Sequence, residues 1–198
     1  MGKNSHNKLL LTAALFQVSK SDVMESVGSS YSPDGALNTG GNEVRGIEFS
    51  AVGNLTEQLS AQFGAAIMTS EITDSYLPTN IGRKISNFAE DSAYLQLKYQ
   101  LTPKFSFGGT LTYSSQMYTG QPDTAADFNT TTGNYNYEIP SFIFGDLFAT
   151  YKFTDHLKLQ ANFGNITDKH YYLAGYRSGS FAYIGDRRYA QFMLSYDF

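Results

Sequence analysis

Cysteine and tryptophan are both absent from the 198 residues, and proline occurs only 5 times. Without cysteine there is no disulfide framework, no thiolate metal site and no cysteine nucleophile. Charge is sparse, with 14 Lys plus Arg against 18 Asp plus Glu and a net charge of −4. That balance lacks the basic patch that marks a nucleic-acid-binding domain, so nucleic acid is not an expected partner. No apolar run approaches the ~18 residues that read as a membrane-spanning helix. The three histidines, His6, His156 and His170, have no metal-ligand spacing, and no Gly-rich loop of the phosphate-cradling kind appears. Asp22, Glu25, Asp34 and Glu43 fall in or beside one loop but lack the EF-hand pattern. No nucleophile–base–acid set stands out. The sequence therefore offers no catalytic, cofactor-binding or metal site, and an enzyme is not expected.

Aromatics and glycine are plentiful: 15 Tyr, 15 Phe and 18 Gly. Mean hydropathy is below zero, which in isolation reads as soluble. Transmembrane β-barrels escape that measure because only alternate residues meet lipid. Periodicity decides between the two. In 90–101, Ala93, Leu95, Leu97, Tyr99 and Leu101 share one face, and Ser92, Gln96, Lys98 and Gln100 share the other. In 104–118, Phe105, Phe107, Gly109, Leu111, Tyr113 and Met117 alternate with Lys104, Ser106, Thr110, Thr112, Ser114 and Gln116. A period of two sustained over such lengths is strand behaviour, and a helical template fits neither segment.

The same pattern predicts strands over 43–54, 58–71, 141–153, 156–166 and 187–198. Segment 8–19 makes an eighth, less cleanly two-faced because Leu10, Phe16 and Val18 fall on its polar side. Soluble strands most often run about five to six residues. These are longer, as tilted strands crossing a bilayer must be. The expected lipid-facing residues are Leu95, Leu97, Leu111, Leu157, Leu159, Phe163, Phe192 and Leu194.

Three short connections resemble one another: Leu55-Thr56-Glu57-Gln58-Leu59, Leu101-Thr102-Pro103-Lys104-Phe105 and Phe153-Thr154-Asp155-His156-Leu157. The alternate connections, 20–42, 72–89, 119–140 and 167–186, are long and rich in Gly, Ser, Thr, Asn and Asp. Structureless loops beyond ~12–15 residues are uncommon in compact soluble domains. Short turns at one end and long loops at the other characterise outer-membrane barrels. Tyr99, Phe105, Tyr151, Phe153, Tyr196 and Phe198 cluster at the short-turn level, as an interfacial aromatic girdle does.

The last ten residues, Tyr189-Ala190-Gln191-Phe192-Met193-Leu194-Ser195-Tyr196-Asp197-Phe198, resemble the terminal strand of bacterial outer-membrane proteins. In that class Phe192, Leu194, Tyr196 and Phe198 would serve as the signal read by the barrel-assembly machinery. The run Asn162-Phe163-Gly164-Asn165-Ile166-Thr167-Asp168-Lys169-His170-Tyr171-Tyr172 resembles the penultimate-strand motif of TonB-dependent receptors. Val44-Arg45-Gly46-Ile47-Glu48 and Thr12-Ala13-Ala14-Leu15-Phe16 resemble earlier strands of the same family, in the family's order. The siderophore-receptor branch is the most similar.

This resemblance implies an all-β, antiparallel, up-and-down set of about eight transmembrane strands, the C-terminal part of a 22-stranded barrel in the bacterial outer membrane. Family members place a plug domain and an energy-coupling box ahead of the barrel, and residues 1–198 resemble neither. The chain alone is therefore not expected to transport. Its partners would be outer-membrane lipid and the assembly machinery, with ferric siderophore and TonB engaging only the full-length receptor. Tyr76, Arg83, Tyr118, Tyr176 and Arg177 in the long loops are the candidate ligand contacts. Arginine gives charge-assisted hydrogen bonds to anionic chelates, and aromatic rings give flat contact area. An alternative is a self-contained eight-stranded barrel with a structural or adhesive role, which requires 8–19 to pair with 187–198. Lys3 and Lys8 ahead of Leu9–Phe16 also fit the charged and apolar regions of a signal peptide, but no small-x-small site follows in 17–20.

Overall fold

The structure, a computed structural model, describes residues 9–26, 36–176 and 179–198. The strands are, in chain order, β1 (Leu9–Ser26), β2 (Ala36–Asn54), β3 (Leu59–Asp74), β4 (Asp91–Thr102) and β5 (Phe105–Ser114). There follow β6 (Met117–Tyr118), β7 (Phe128–Asn129), β8 (Asn134–Tyr135), β9 (Glu138–Ile139), β10 (Phe142–Lys152), β11 (Leu157–Gly164), β12 (Tyr172–Tyr176), β13 (Phe181–Ile184) and β14 (Tyr189–Tyr196). The eight long ones form a single sheet in the order β1-β2-β3-β4-β5-β10-β11-β14, every neighbour antiparallel. Up-and-down connectivity holds throughout, and β1 and β14 are its two ends.

The register explains why period-two alternation in separate segments adds up to one surface. Leu11 lies opposite Ala51, Ala51 opposite Phe63, Phe63 opposite Leu95, Leu95 opposite Leu111 and Leu111 opposite Gly145. A second row runs Leu97, Gly109, Leu147, Phe163 and Ala190. Since directly opposite residues share a face, the apolar sides of all eight strands merge into one continuous sheet surface. The other surface carries rows such as Gln62, Gln96, Thr110 and Asp146. A one-residue slip anywhere would exchange the two. On β3 the apolar band runs from Leu59 to Ile67, about the nine to eleven residues a tilted strand uses to cross a bilayer. It ends at the rows Gln17, Arg45, Thr69 and Ser19, Glu43, Glu71. There Arg45 pairs with Glu43 and Glu71, each at 2.5 Å.

The repeated threonine does one job in each short turn. Thr56 Oγ1 accepts hydrogen bonds from the amides of Gln58 and Leu59, at 3.2 and 2.9 Å. Thr102 accepts from Lys104 and Phe105 at 3.3 and 3.0 Å, and Thr154 from His156 and Leu157 at 3.2 and 3.0 Å. The hydroxyl satisfies the amides left free as the chain reverses. Rings pack at this end on the apolar face: Tyr99 with Phe107 at 5.9 Å, Phe105 with Tyr151 at 6.3 Å, Tyr151 with Phe153 at 4.9 Å and Tyr196 with Phe198 at 5.1 Å.

Several boundaries differ from expectation. Residues 20–26 and 36–42, expected as loop, continue β1 and β2, with register shifts at Lys20, Val23 and Met24 and Asp22 at φ 56°. Backbone pairing there needs no apolar alternation, so the sequence pattern ends before the strands do. The expected strand 104–118 breaks after Ser114: Ser115 N donates to Asp91 O at 2.8 Å, and Met117–Tyr118 pairs with Glu138–Ile139 in a separate two-stranded sheet. Strand β11 ends at Gly164 because Asn165 takes φ 45°, outside the extended region.

Among the described residues no second layer covers either sheet surface. Phe192 and Leu194 remain 64% and 66% exposed. The buried apolar residues are instead Val23, Ile72, Ile85, Met117, Ala126, Ile139, Phe142 and Tyr171, all toward the long-connection end. The core of this chain lies beneath its loops.

Candidate functional site

Among the described residues three segments build that end: 75–90 between β3 and β4, 115–141 between β5 and β10, and 165–188 between β11 and β14. The first two are zipped together. Ser86 N donates to Thr124 O at 2.9 Å, Ala126 N donates to Lys84 O at 2.9 Å, and Ile85 pairs with Ala125. Strand β1 holds the assembly from the side. Glu25, buried, accepts from Ser75 Oγ at 2.5 Å, Tyr76 N at 2.7 Å and Thr39 Oγ1 at 3.3 Å, and Lys20 pairs with Asp123 at 2.5 Å.

The third segment is anchored by Asn165 and Asp168. Asn165, 2% exposed, donates through Nδ2 to Lys169 O at 2.7 Å and Asp186 O at 2.9 Å, and accepts from Lys169 N at 2.8 Å. Its own amide donates to Asp146 Oδ1 at 2.8 Å, which fixes the turn to the sheet. Asp168 accepts from Arg187 Nε at 3.0 Å and Nη2 at 2.7 Å, and from Arg188 N at 3.0 Å. The Arg187 guanidinium, helped by the Arg188 amide, holds the Asp168 carboxyl well below the usual carboxylate range. The motif Asn162 to Tyr172 is thus a turn that clips both arms of one loop together. Tyr171 carries it onto the sheet, its ring 4.6 Å from Phe142 and 4.9 Å from Phe144. Among the described residues, every buried side-chain polar atom has a hydrogen-bond partner.

Of the candidate contacts, Arg83 and Tyr118 come together. Arg83 Cζ stands 4.4 Å over the Phe128 ring. Phe128 meets Tyr135 edge-on at 5.1 Å, and Tyr135 stacks on Tyr118 at 4.5 Å. Among the described residues no carboxylate lies within ion-pair distance of Arg83; its Nη1 donates to Asn80 Oδ1 at 3.2 Å. The result is a cation on an aromatic shelf. Tyr176 joins through Gln121, whose Nε2 donates to its hydroxyl at 3.4 Å. Tyr76 stands apart, exposed beyond Glu25. Arg177 lies outside the described residues. Phe128 and Tyr135 were not picked out from the sequence, because their partners lie far along the chain. Of the acidic residues around the first long loop, Glu25 and Glu43 are engaged within the protein, Glu43 with Arg45. At the opposite end of the sheet, Phe192, Leu194, Tyr196 and Phe198 share the apolar face of the edge strand and its tail.

Residues 3–166 match the family described as TonB dependent receptor-like, β-barrel. The chain belongs to that family. It is similar to the probable TonB-dependent siderophore receptor PiuA of Acinetobacter baumannii, 25% identical over 182 residues, which cover 87% of this chain and 22% of PiuA. The probable TonB-dependent receptor BfrD of Bordetella pertussis is 28% identical over 192 residues, 96% of this chain and 25% of BfrD. The crystal structure of PiuA superposes with a TM-score of 0.74 at 23% identity over 95% of this chain. That of Fiu, the ferric-catecholate import receptor of E. coli K12, does so at 0.67 and 24% over 96%. The chain spans about a quarter of the length of these relatives. It is a portion of the C-terminal barrel of a TonB-dependent receptor, and its place is the bacterial outer membrane. The family is one of outer-membrane receptors and not a class of enzymes. In outer-membrane barrels an apolar outer surface meets lipid, a polar inner surface lines the lumen, and the long loops are external.

Proposed function

We propose that this chain supplies about eight strands and the external loops between them to a receptor that takes up ferric siderophores with energy from TonB. The observation that carries the reading is the Arg83–Phe128–Tyr135–Tyr118 shelf at the external end. Arg83 meets a ring face and, among the described residues, no carboxylate, an arrangement that suits an anionic, flat-faced iron chelate. PiuA, described as a probable siderophore receptor, supports the same reading. The remaining strands and the plug of a 22-stranded barrel would come from the rest of the receptor. Tyr76, Tyr176 and Arg177 are proposed as further contacts, and Phe192, Leu194, Tyr196 and Phe198 as the strand read by the assembly machinery. The open sheet, with β1 and β14 at opposite ends, favours a larger barrel over a self-contained one.

The test is a loop exchange. Segments 75–90, 115–141 and 165–188 replace their counterparts in an intact relative, and uptake of iron–chelate complexes of the catecholate and hydroxamate classes is measured. A shift in chelate preference is expected. Unchanged preference in a well-expressed chimera contradicts a selective role for these loops.

A further inference from the structure

Asn87 occupies the point where the three described loops meet, and its amide N, Nδ2 and Oδ1 each reach across to another loop. Its amide N donates to Tyr118 O at 2.7 Å. Its side-chain Nδ2 donates to Gly120 O at 3.1 Å, so both bonds go to the 115–141 loop. Its Oδ1 accepts from Gly175 N at 2.8 Å, which lies in β12 of the third loop. The residue holds φ 54°, a left-handed conformation that asparagine tolerates better than most side chains. It is neither fully buried nor exposed.

Its neighbours leave little room for rearrangement. A Cβ on Gly175 would sit 2.4 Å from Thr119 Cγ2, and one on Gly120 would sit 2.7 Å from Ser86 Cβ. The third loop therefore rests directly on the second, and the second on the first, at the position where Asn87 bonds to both. Four residues before Asn87 is Arg83, one of its partners is the carbonyl of Tyr118, and Gly175 precedes Tyr176. The candidate contacts that come together thus flank this one residue, through its amide on the Tyr118 side and its side chain on the Gly175 side.

We infer that Asn87 is a positioning residue: it joins the three described loops and sets the spacing between the Arg83–Tyr118 shelf and Tyr176. The first two loops are also zipped by backbone bonds between 84–86 and 124–126. Loop 165–188 has no such zipper to the first loop among the described residues, and the bond from Gly175 N to Asn87 is its tether there. The part that concerns ligand rests on the siderophore reading; the tether does not.

Two substitutions separate backbone from side chain. Asn87→Gly keeps the left-handed backbone and removes both side-chain bonds. Asn87→Asp keeps an acceptor for Gly175 N and loses only the donor to Gly120 O. Both are made in the full-length receptor in outer-membrane vesicles, and amide exchange is followed in peptides covering Gly175. In Asn87→Gly, exchange at Gly175 should quicken roughly 3- to 10-fold, as expected for loss of one net intramolecular hydrogen bond. The β4 and β5 ladder amides should not change. Asn87→Asp should restore the protection at Gly175. Unchanged exchange in Asn87→Gly, or equal loss in both variants, overturns the tether. Equilibrium binding of a ferric tris-catecholate and of a ferric tris-hydroxamate is measured on the same vesicles. Weaker binding by Asn87→Gly than by Asn87→Asp supports positioning, and equal affinity with a loosened Gly175 overturns it. If the unaltered receptor binds neither catecholate nor hydroxamate chelates, the siderophore reading falls, while the exchange result still judges the tether.

Discussion

Asp168 shows how much one carboxylate can organise. It takes two bonds from Arg187 and one from the Arg188 amide, so the arm entering the third loop and the arm leaving it are clamped together. The pair is partly exposed, with Asp168 at 30%. Exposed single ion pairs contribute little, whereas a bidentate geometry with an added amide is the stronger arrangement. The folded-state pKa lies below that of the unfolded chain. The contribution is therefore complete above the unfolded value, about 3.9, and is lost as pH falls from there through the depressed folded value. We expect Asp168→Asn to lower the thermal stability of the full-length receptor in detergent by a constant amount at neutral and mildly acidic pH. The gap to the unaltered protein should narrow only below about pH 4. A gap that closes between pH 7 and 5 would contradict the clamp and point to a histidine instead.

At the scale of the element, the strands were legible and the loops were not. Alternation in 90–101 reports a strand because the neighbours that matter, Phe63 and Leu111 on either side of Leu95, follow the same parity rule. Segment 8–19 looked weakest because Leu10 and Val18 fall on the polar side; in the structure both stand exposed on an edge strand. The external loops obey no periodic rule. Asn42 finds the carbonyl of Asp123, and Gly175 finds Asn87, through pairings that composition does not encode. Arg83 and Tyr118 were identified by residue type, but Phe128 and Tyr135, which join them, were not. The motif around Asn165 was legible as a family resemblance, while its role as a clip was visible only in the hydrogen bonds. The short turns lie between these extremes. Their repeated threonine is plain in the sequence, and its double acceptance gives the physical reason. We expect Thr102→Val to lower stability by about 0.5–1.5 kcal/mol, because two turn amides lose their acceptor. Thr102→Ser should retain nearly all of it. Denaturant unfolding in lipid vesicles measures the difference; a loss in Thr102→Ser as large as that in Thr102→Val would contradict the hydroxyl's role.

For the whole molecule, an eight-stranded sheet with two free ends poses a problem that only more protein solves. Among the described residues β1 and β14 each leave one side of the strand unpaired, and long exposed edges template aggregation. In hydrocarbon each unsatisfied backbone group costs several kcal/mol, so a sheet that does not close cannot rest in a bilayer. The apolar surface, with Phe192 and Leu194 exposed on it, makes water an equally poor solvent. Membership of the TonB-dependent receptor family, at a quarter of its relatives' length, accounts for both features: the edges are seams with further strands of a larger barrel. The most direct test is to refold the 198-residue chain alone into detergent micelles and lipid vesicles, in parallel with a known eight-stranded barrel as a control for conditions. Electrophoretic mobility is then compared with and without heating, together with protease resistance. If the sheet is an open arc, the control folds and this chain gives only aggregated or protease-sensitive material. A heat-modifiable, protease-resistant monomer would show that β1 and β14 meet, and would contradict it.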